Sequence, residues 1–337
     1  MASGDTVPHI VAIEAIHCPI PTFDIPHTRG IYEWTTESQL EERVKDATVI
    51  IATTIRLSAR ILSPEVTPKL KLIVAMAVGT NHIDKFAAKQ RGIPVCNCPA
   101  SNLESVSEHA IGLYFSARRK LVSLHQATTR VLPSPVSDTE WKANGSLRTR
   151  LHMSNGKPPL TCGEETMGIF GYGGLGKRIA PMAGALGMTV LVAERKGHSP
   201  RENRVAFDEV LRKCTVLVMC LPRNPETENL ISSTEFGMMR PEALLINVAR
   251  GGIVDEAALL AALKEGQISG AATDVFNTEP AGKADSPLLG PEAEGLNLIM
   301  TPHLAWYAER TLENYRIGMK AAIEKWYGGE IVNEVQP

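Results

Sequence analysis

At 337 residues the chain is long enough for two domains with full cores. Apolar residues make up 44% and charged residues 21%, and 35 Lys and Arg against 37 Asp and Glu leave a formal net charge of −2. That balance speaks against a nucleic-acid partner, no apolar run reaches membrane-spanning length, and the N-terminal M-A-S-G-D is no signal peptide. The six cysteines (Cys18, Cys96, Cys98, Cys162, Cys214, Cys220) are scattered with no second pair at metal spacing. A cytoplasmic protein with reduced thiols and no metal is expected.

In chain order, His9 to Ile16 reads as a strand and Glu37 to Lys45 as a charged helix. Thr48 to Thr53 and Leu70 to Ala77 are short β-branched runs of the kind that form buried parallel strands. A helix opens at His82-Ile83-Asp84 and runs through Lys89, and Ile93 to Asn97 is another strand. These elements make a small open α/β unit. Ligands of such sheets sit beyond the carboxyl ends of the strands, which puts Val78 and Gly79 at a pocket. Asn102 to Leu121 carries Val106, Ala110, Leu113, Tyr114 and Ala117 at helical spacing. Gln126 to Glu165, with Pro133, Pro135 and Pro158-Pro159, reads as a long Pro-rich connection with one helical turn around Trp141.

From Met167 a regular alternation resumes. Gly168 to Phe170 ends in Gly171-Tyr-Gly173-Gly-Leu-Gly176, a helix follows from Lys177 to Leu186, and a second strand, Thr189 to Ala193, ends at Glu194. This is a dinucleotide-binding unit. Gly171 allows a tight turn, Gly173 lets backbone approach a pyrophosphate, and Gly176 lets the helix pack close to the strand. Glu194 stands where a carboxylate holds a ribose diol. Further strands are expected at Val216 to Leu221, Ala243 to Val248, Ala271 to Val275 and Asn297 to Met300, six in one doubly wound sheet. The terminal helix, Glu309 to Tyr327, is long enough to return to the first domain. The division expected is therefore 1–101 with 305–337 as a substrate domain, and 102–304 as a Rossmann domain for NAD.

Three side chains downstream carry the chemistry of 2-oxo acid reduction. Arg250, past the strand end in I-N-V-A-R-G-G, presents a guanidinium that can take a carboxylate by two parallel hydrogen bonds. Glu279 (D-V-F-N-T-E-P) and His303 (T-P-H-L-A-W) follow the next two strands. If the strands are parallel all three leave one sheet edge, where His303 can donate a proton and Glu279 can orient the imidazole and favour its charged form.

The segments N-L-E-S-V-S-E-H-A (102–110), G-Y-G-G-L-G-K-R-I-A (171–180), L-P-R-N-P-E-T-E-N-L-I (221–231), I-N-V-A-R-G-G-I-V-D (246–255), D-V-F-N-T-E-P (274–280) and T-P-H-L-A-W (301–306) together resemble the D-isomer-specific 2-hydroxyacid dehydrogenases, over nearly the whole chain. The resemblance implies a Rossmann doubly wound parallel sheet with a smaller flavodoxin-like α/β substrate domain. It implies His303 as acid/base, Glu279 as its partner and Arg250 as the substrate clamp. It also implies that backbone N–H groups at Val78 and Gly79, with Asn102, meet the substrate carboxylate. Leu175 and Gly176 would meet the pyrophosphate, Leu221 would lie along the cofactor, and Val248, Arg250 and Asp274 would hold the nicotinamide end. A homodimer with the helix near Asn102 in its interface is implied as well. Where the family has Asp, this chain has Glu194, followed by Arg195 and Lys196; the acid favours NAD, and the two cations leave NADP open. H-L-A-W is similar to glycerate dehydrogenases and hydroxypyruvate or glyoxylate reductases, and Trp306 beside the histidine either limits the pocket or packs. Two other readings stay open: a dinucleotide-sensing corepressor-like protein, and a family member acting on bulkier 2-oxo acids or another small anion.

Overall fold

Short β-branched runs become buried parallel strands in both halves of the chain. The computed structural model describes residues 7–337. It divides the chain into one unit holding the residues up to Asn102 with Tyr307–Pro337, and a second formed by Leu103–Trp306.

The first unit contains β1 (His9–Ala12), β2 (Thr28–Ile31), α1 (Glu37–Val44), β3 (Val49–Ala52), β4 (Leu72–Ala75), α2 (Lys85–Gln90) and β5 (Val95–Cys96). Its strands are all parallel in the order β2-β1-β3-β4-β5, which is the flavodoxin-like winding. β3 (VIIA) and β4 (LIVA) are buried along their whole length, as parallel strands covered on both faces must be. β2 (TRGI) has no counterpart in the sequence reading. It is a largely exposed edge strand, so no apolar run marks it. The helix expected from His82 begins only at Lys85, because the Asp84 carboxylate caps it by accepting from the Ala87 N–H at 3.0 Å.

The second unit opens with α3 (Leu103–Arg118), α4 (Leu121–Thr129) and α5 (Glu140–Asn144). α4 corrects the expectation of an irregular connection from Gln126, whereas α5 lies at the turn read around Trp141. The rest of the connection is fastened to the unit. Buried Arg118 pairs with buried Glu165 and donates to the carbonyls of Glu242 and Thr215. The Ser154 N–H donates to Ser269 Oγ at 3.0 Å. Leu121, Val122, Val131, Val136 and Trp141 leave their side chains exposed along this segment.

Then come β6 (Thr166–Phe170), α6 (Gly174–Ala185), β7 (Thr189–Val192), α7 (Phe207–Lys213), β8 (Val216–Met219), α8 (Ser233–Phe236), β9 (Leu244–Asn247), α9 (Glu256–Lys264), β10 (Gly270–Thr273) and β11 (Leu298–Met300). The six strands are parallel in the order β11-β10-β9-β8-β6-β7. A single parallel bridge from Ala193 to Val205 extends the sheet beyond β7. Counted as the third strand, it makes the order 3-2-1-4-5-6-7, the doubly wound arrangement with its reversal between β6 and β8. Successive strand residues feed opposite cores: Leu217 and Met219 join Phe207, Val210 and Leu259 on one face, while Val216 and Val218 join Val106, Ala110, Leu113 and Ile179 on the other. That double burial is why the strands read as unbroken apolar runs. α10 (Glu309–Tyr327) belongs to the first unit, where a Cβ on Gly318 would meet Cys98 Sγ at 2.8 Å. No helix among the described residues is long and apolar enough to cross a membrane.

Candidate active site

The glycine turn lies at the reversal of the second sheet. Gly171 follows β6 with φ +94°, and a Cβ there would stand 2.7 Å from the Cys220 carbonyl oxygen and 2.9 Å from Leu221 Cδ2. Leu221 therefore borders the turn. A Cβ on Gly176 would stand 2.2 Å from the Gly171 carbonyl oxygen, so only glycine lets α6 sit this close to β6. Gly173 differs: it precedes α6 in an extended conformation, and a Cβ there would meet nothing within 4 Å. No side chain caps α6, and its first internal bond runs from the Lys177 N–H to the Gly173 carbonyl at 3.0 Å. The N–H groups of Gly174, Leu175 and Gly176 precede that bond and so have no acceptor within the helix. Bare backbone, a helix N-terminus and free space fit a pyrophosphate.

Glu194 lies two residues past the end of β7, 4% exposed. Its carboxylate is held by Arg201, whose Nε and Nη2 donate to Oε2 and Oε1 at 2.7 Å each, and by the backbone N–H groups of Arg195 and Arg201. The Arg201 hydrogen bonds, then that of Arg195, bring its pKa down to about 2.

The three catalytic candidates leave the ends of adjacent parallel strands, Arg250 after β9, Glu279 after β10 and His303 after β11. Glu279 Oε2 and His303 Nδ1 are 2.6 Å apart. Glu279 Oε1 accepts the Phe276 N–H at 2.8 Å, which fixes the carboxylate from its other side. Burial by itself pushes the Glu279 carboxyl up, but the His303 bond and charge, the Phe276 N–H and the Arg250 charge outweigh it and hold the group below its ordinary value. The acid is thus ionised beside the imidazole, and Arg250 is near enough to bias it.

Two residues shape this edge in ways the motifs did not reveal. Asn247, at the end of β9 and 4% exposed, donates from Nδ2 to the Arg250 carbonyl at 3.0 Å and accepts the Ala249 N–H at 3.1 Å. It clips the turn that presents Arg250. Asp274, 1% exposed, organises the histidine loop: Oδ1 accepts from Thr301 Oγ1 at 2.6 Å and the Leu304 N–H at 3.1 Å, and Oδ2 accepts the Ala305 N–H at 2.9 Å. Its backbone carbonyl accepts the His303 N–H at 2.7 Å, and His303 takes φ +52°. His109, on α3, lies 3.0 Å from Thr301 Oγ1. Gly251 is forced, since a Cβ there would sit 1.7 Å from the Phe276 carbonyl oxygen. Trp306 is half-buried against the α3 face of this unit, and its carbonyl accepts from Ser105 Oγ at 3.1 Å. Val248 is buried directly after β9.

In the first unit, Val78 and Gly79 follow β4 and are half-buried. The Val78 carbonyl accepts from Asn97 Nδ2 at 2.7 Å, which turns the N–H of Gly79 to the opposite side of the trans peptide. Asn102 closes this unit's first segment, half-buried. Sequence reasoning missed Glu14. Its carboxylate, after β1, accepts the N–H groups of Thr53, Thr54 and Ile55 at 2.8–3.0 Å and so ties the ends of β1 and β3. Burial opposes its charge, but His17, Thr54, Ile55 and Thr53 outweigh it and bring its pKa down to about 2.

Residues 136–305 match the family model described as D-isomer specific 2-hydroxyacid dehydrogenase, NAD binding domain. The chain belongs to this family. A glycerate dehydrogenase of Methylorubrum extorquens is 34% identical over 325 residues, covering 96% of each chain. Among solved structures, the D-lactate dehydrogenase from Aquifex aeolicus complexed with NAD and lactic acid superposes with a TM-score of 0.77 at 26% identity, over 95% of this chain and 96% of that one. The NADPH-dependent glyoxylate/hydroxypyruvate reductase from Sinorhizobium meliloti, in complex with NADP and malonate, gives 0.75 at 23% identity over 98% and 97%, a likeness of fold. As a D-2-hydroxyacid dehydrogenase the protein is an NAD-binding oxidoreductase acting on CH–OH groups, and its second unit carries the Rossmann sheet.

Proposed function

We propose that this dehydrogenase reduces small 2-oxo acids, hydroxypyruvate and glyoxylate foremost, to their D-2-hydroxy acids. The observation that carries the reading is the 2.6 Å pairing of His303 with an ionised Glu279 at the ends of neighbouring parallel strands. A bound nicotinamide dinucleotide supplies the hydride. Leu175 and Gly176 receive its pyrophosphate, its ribose lies beside Glu194 and the loop that follows, and Leu221, Val248, Arg250 and Asp274 flank the rest. Asp274 Oδ2 accepts one chain donor, the Ala305 N–H, and so keeps acceptor capacity for an amide N–H.

His303 Nδ1 faces Glu279, so Nε2 is the nitrogen that passes a proton to the substrate carbonyl oxygen. Arg250 takes the substrate carboxylate through its planar fork. The backbone N–H groups at Val78 and Gly79, with Asn102, are the proposed donors of the first unit. Trp306 limits the size of the acid. The small-acid preference is supported by the identity with glycerate dehydrogenase across 96% of the chain. A homodimer is part of the reading, supported by the exposed apolar side chains between Leu121 and Trp141; sedimentation as a monomer would remove that part.

Replacing His303 by Asn tests the assignment. Hydroxypyruvate turnover should drop by about a thousandfold while NADH binding in the absence of substrate changes little. Turnover near wild type would show that another group delivers the proton.

A further inference from the structure

The acid expected to hold the ribose is already fully engaged. Glu194 Oε1 accepts from the Arg195 N–H at 2.9 Å and Arg201 Nη2 at 2.7 Å, and Oε2 accepts from the Arg201 N–H at 3.2 Å and its Nε at 2.7 Å. A carboxylate offers about four lone-pair sites, so this one is saturated by its own chain. A ribose hydroxyl reaches Glu194 only by displacing one of these bonds, and two of them are charge-assisted.

The surroundings are cationic. The Arg201 side chain is 67% exposed and uses two of its N–H groups on Glu194. Arg195 is exposed next to the acid, and the Arg204 guanidinium lies 4.8 Å from the centre of the Tyr172 ring, inside the glycine turn. Lys196 is paired with Glu235 at 2.7 Å, His198 Nδ1 lies 3.1 Å from the Lys196 carbonyl, and exposed Glu202 is the further acid of the loop. Arg195 and Arg201 thus flank a carboxylate that a neutral ribose would need and a phosphorylated ribose would not, with Arg204 at the glycine turn.

Resting on the dinucleotide-dependent reading above, we infer that Arg201 determines cofactor choice: it withholds Glu194 from the unphosphorylated ribose of NADH and offers its guanidinium to a ribose 2′-phosphate, so the enzyme takes NADPH as well as NADH. Arg binds phosphate through the same fork that now holds the carboxylate. Releasing Glu194 has the opposite effect, because the freed acid accepts ribose hydroxyls and repels a phosphate.

The test is a fluorescence titration of the full chain with NADH and with NADPH, without substrate, for wild type, Arg201→Gln and Glu194→Gln. Wild type should bind both dinucleotides within about tenfold of each other, and Arg201→Gln should weaken NADPH by about tenfold or more while NADH holds or tightens. Glu194→Gln should shift the ratio the other way. Arg201 is exposed, so an unchanged melting temperature will show that the variant is folded. An unaltered NADH-to-NADPH ratio in Arg201→Gln, or a wild type that rejects NADPH, overturns the inference. A wild type that binds neither dinucleotide overturns the dehydrogenase reading instead.

Discussion

At the scale of single residues the proposed chemistry turns on the 2.6 Å contact between Glu279 and His303. Glu279 titrates below its ordinary value of 4.5 in the folded chain, although burial pushes the other way. The sign follows from proton linkage. Below 4.5 the unfolded carboxyl takes up its proton first, so the stability Glu279 contributes is present above that pH and is lost as pH falls through the lower folded value. Glu279→Gln should therefore flatten the acid limb of the melting-temperature profile and lower hydroxypyruvate turnover by about a hundredfold at neutral pH. A variant with wild-type turnover and an unchanged acid limb would mean that the pair is incidental. Arg250, Glu279 and His303 were legible as candidates because each follows a short strand, buried in β9 and β10 and half-buried in β11, within a Gly- or Pro-marked turn. Glu14 and Arg201 were not, because their meaning lies in partners. Glu14 binds backbone about forty residues away, and Arg201 sits seven residues past its acid in a loop without periodicity. Asn247 stood inside a quoted motif and read as part of a strand; its clip on Arg250 emerges only once the turn is built.

At the scale of elements, the glycines of the turn have separable duties. Gly176→Ala would drive a methyl into the Gly171 carbonyl, backbone against backbone, and should cost about 1–3 kcal/mol of stability along with dinucleotide binding. Gly173→Ala meets nothing in the protein, so it should melt close to wild type and still bind NADH more weakly, since the methyl enters the space beside the helix N-terminus. Melting curves with an NADH titration for each variant check the contrast; a Gly173→Ala protein with wild-type affinity would move the pyrophosphate elsewhere. The apolar runs marked β3, β4, β6, β8 and β9 because both faces of these strands are buried. β2 and α4 escaped notice for the converse reason. β2 is an exposed edge strand, and α4 buries a single residue, Ala127, so neither carries a periodic apolar signal.

Across the whole molecule, two parallel sheets of five and six strands wind in related orders, each with its functional candidates past the carboxyl ends of its strands. The alternation of apolar runs with helical spacings made this architecture readable, since each crossover between parallel strands requires a helix-length segment. The Pro-rich connection resisted reading because Ser154, Arg118 and Glu165 fasten it through polar contacts distant in sequence. What the fold is for turns on one assay: oxidation of NADH by the purified protein against hydroxypyruvate, glyoxylate, pyruvate, phenylpyruvate and 2-oxoisocaproate. Fast turnover of the first two, with the bulky acids poor by about tenfold or more, is the predicted result. Preference for phenylpyruvate or 2-oxoisocaproate, or tight dinucleotide binding with no turnover of any acid, would contradict it.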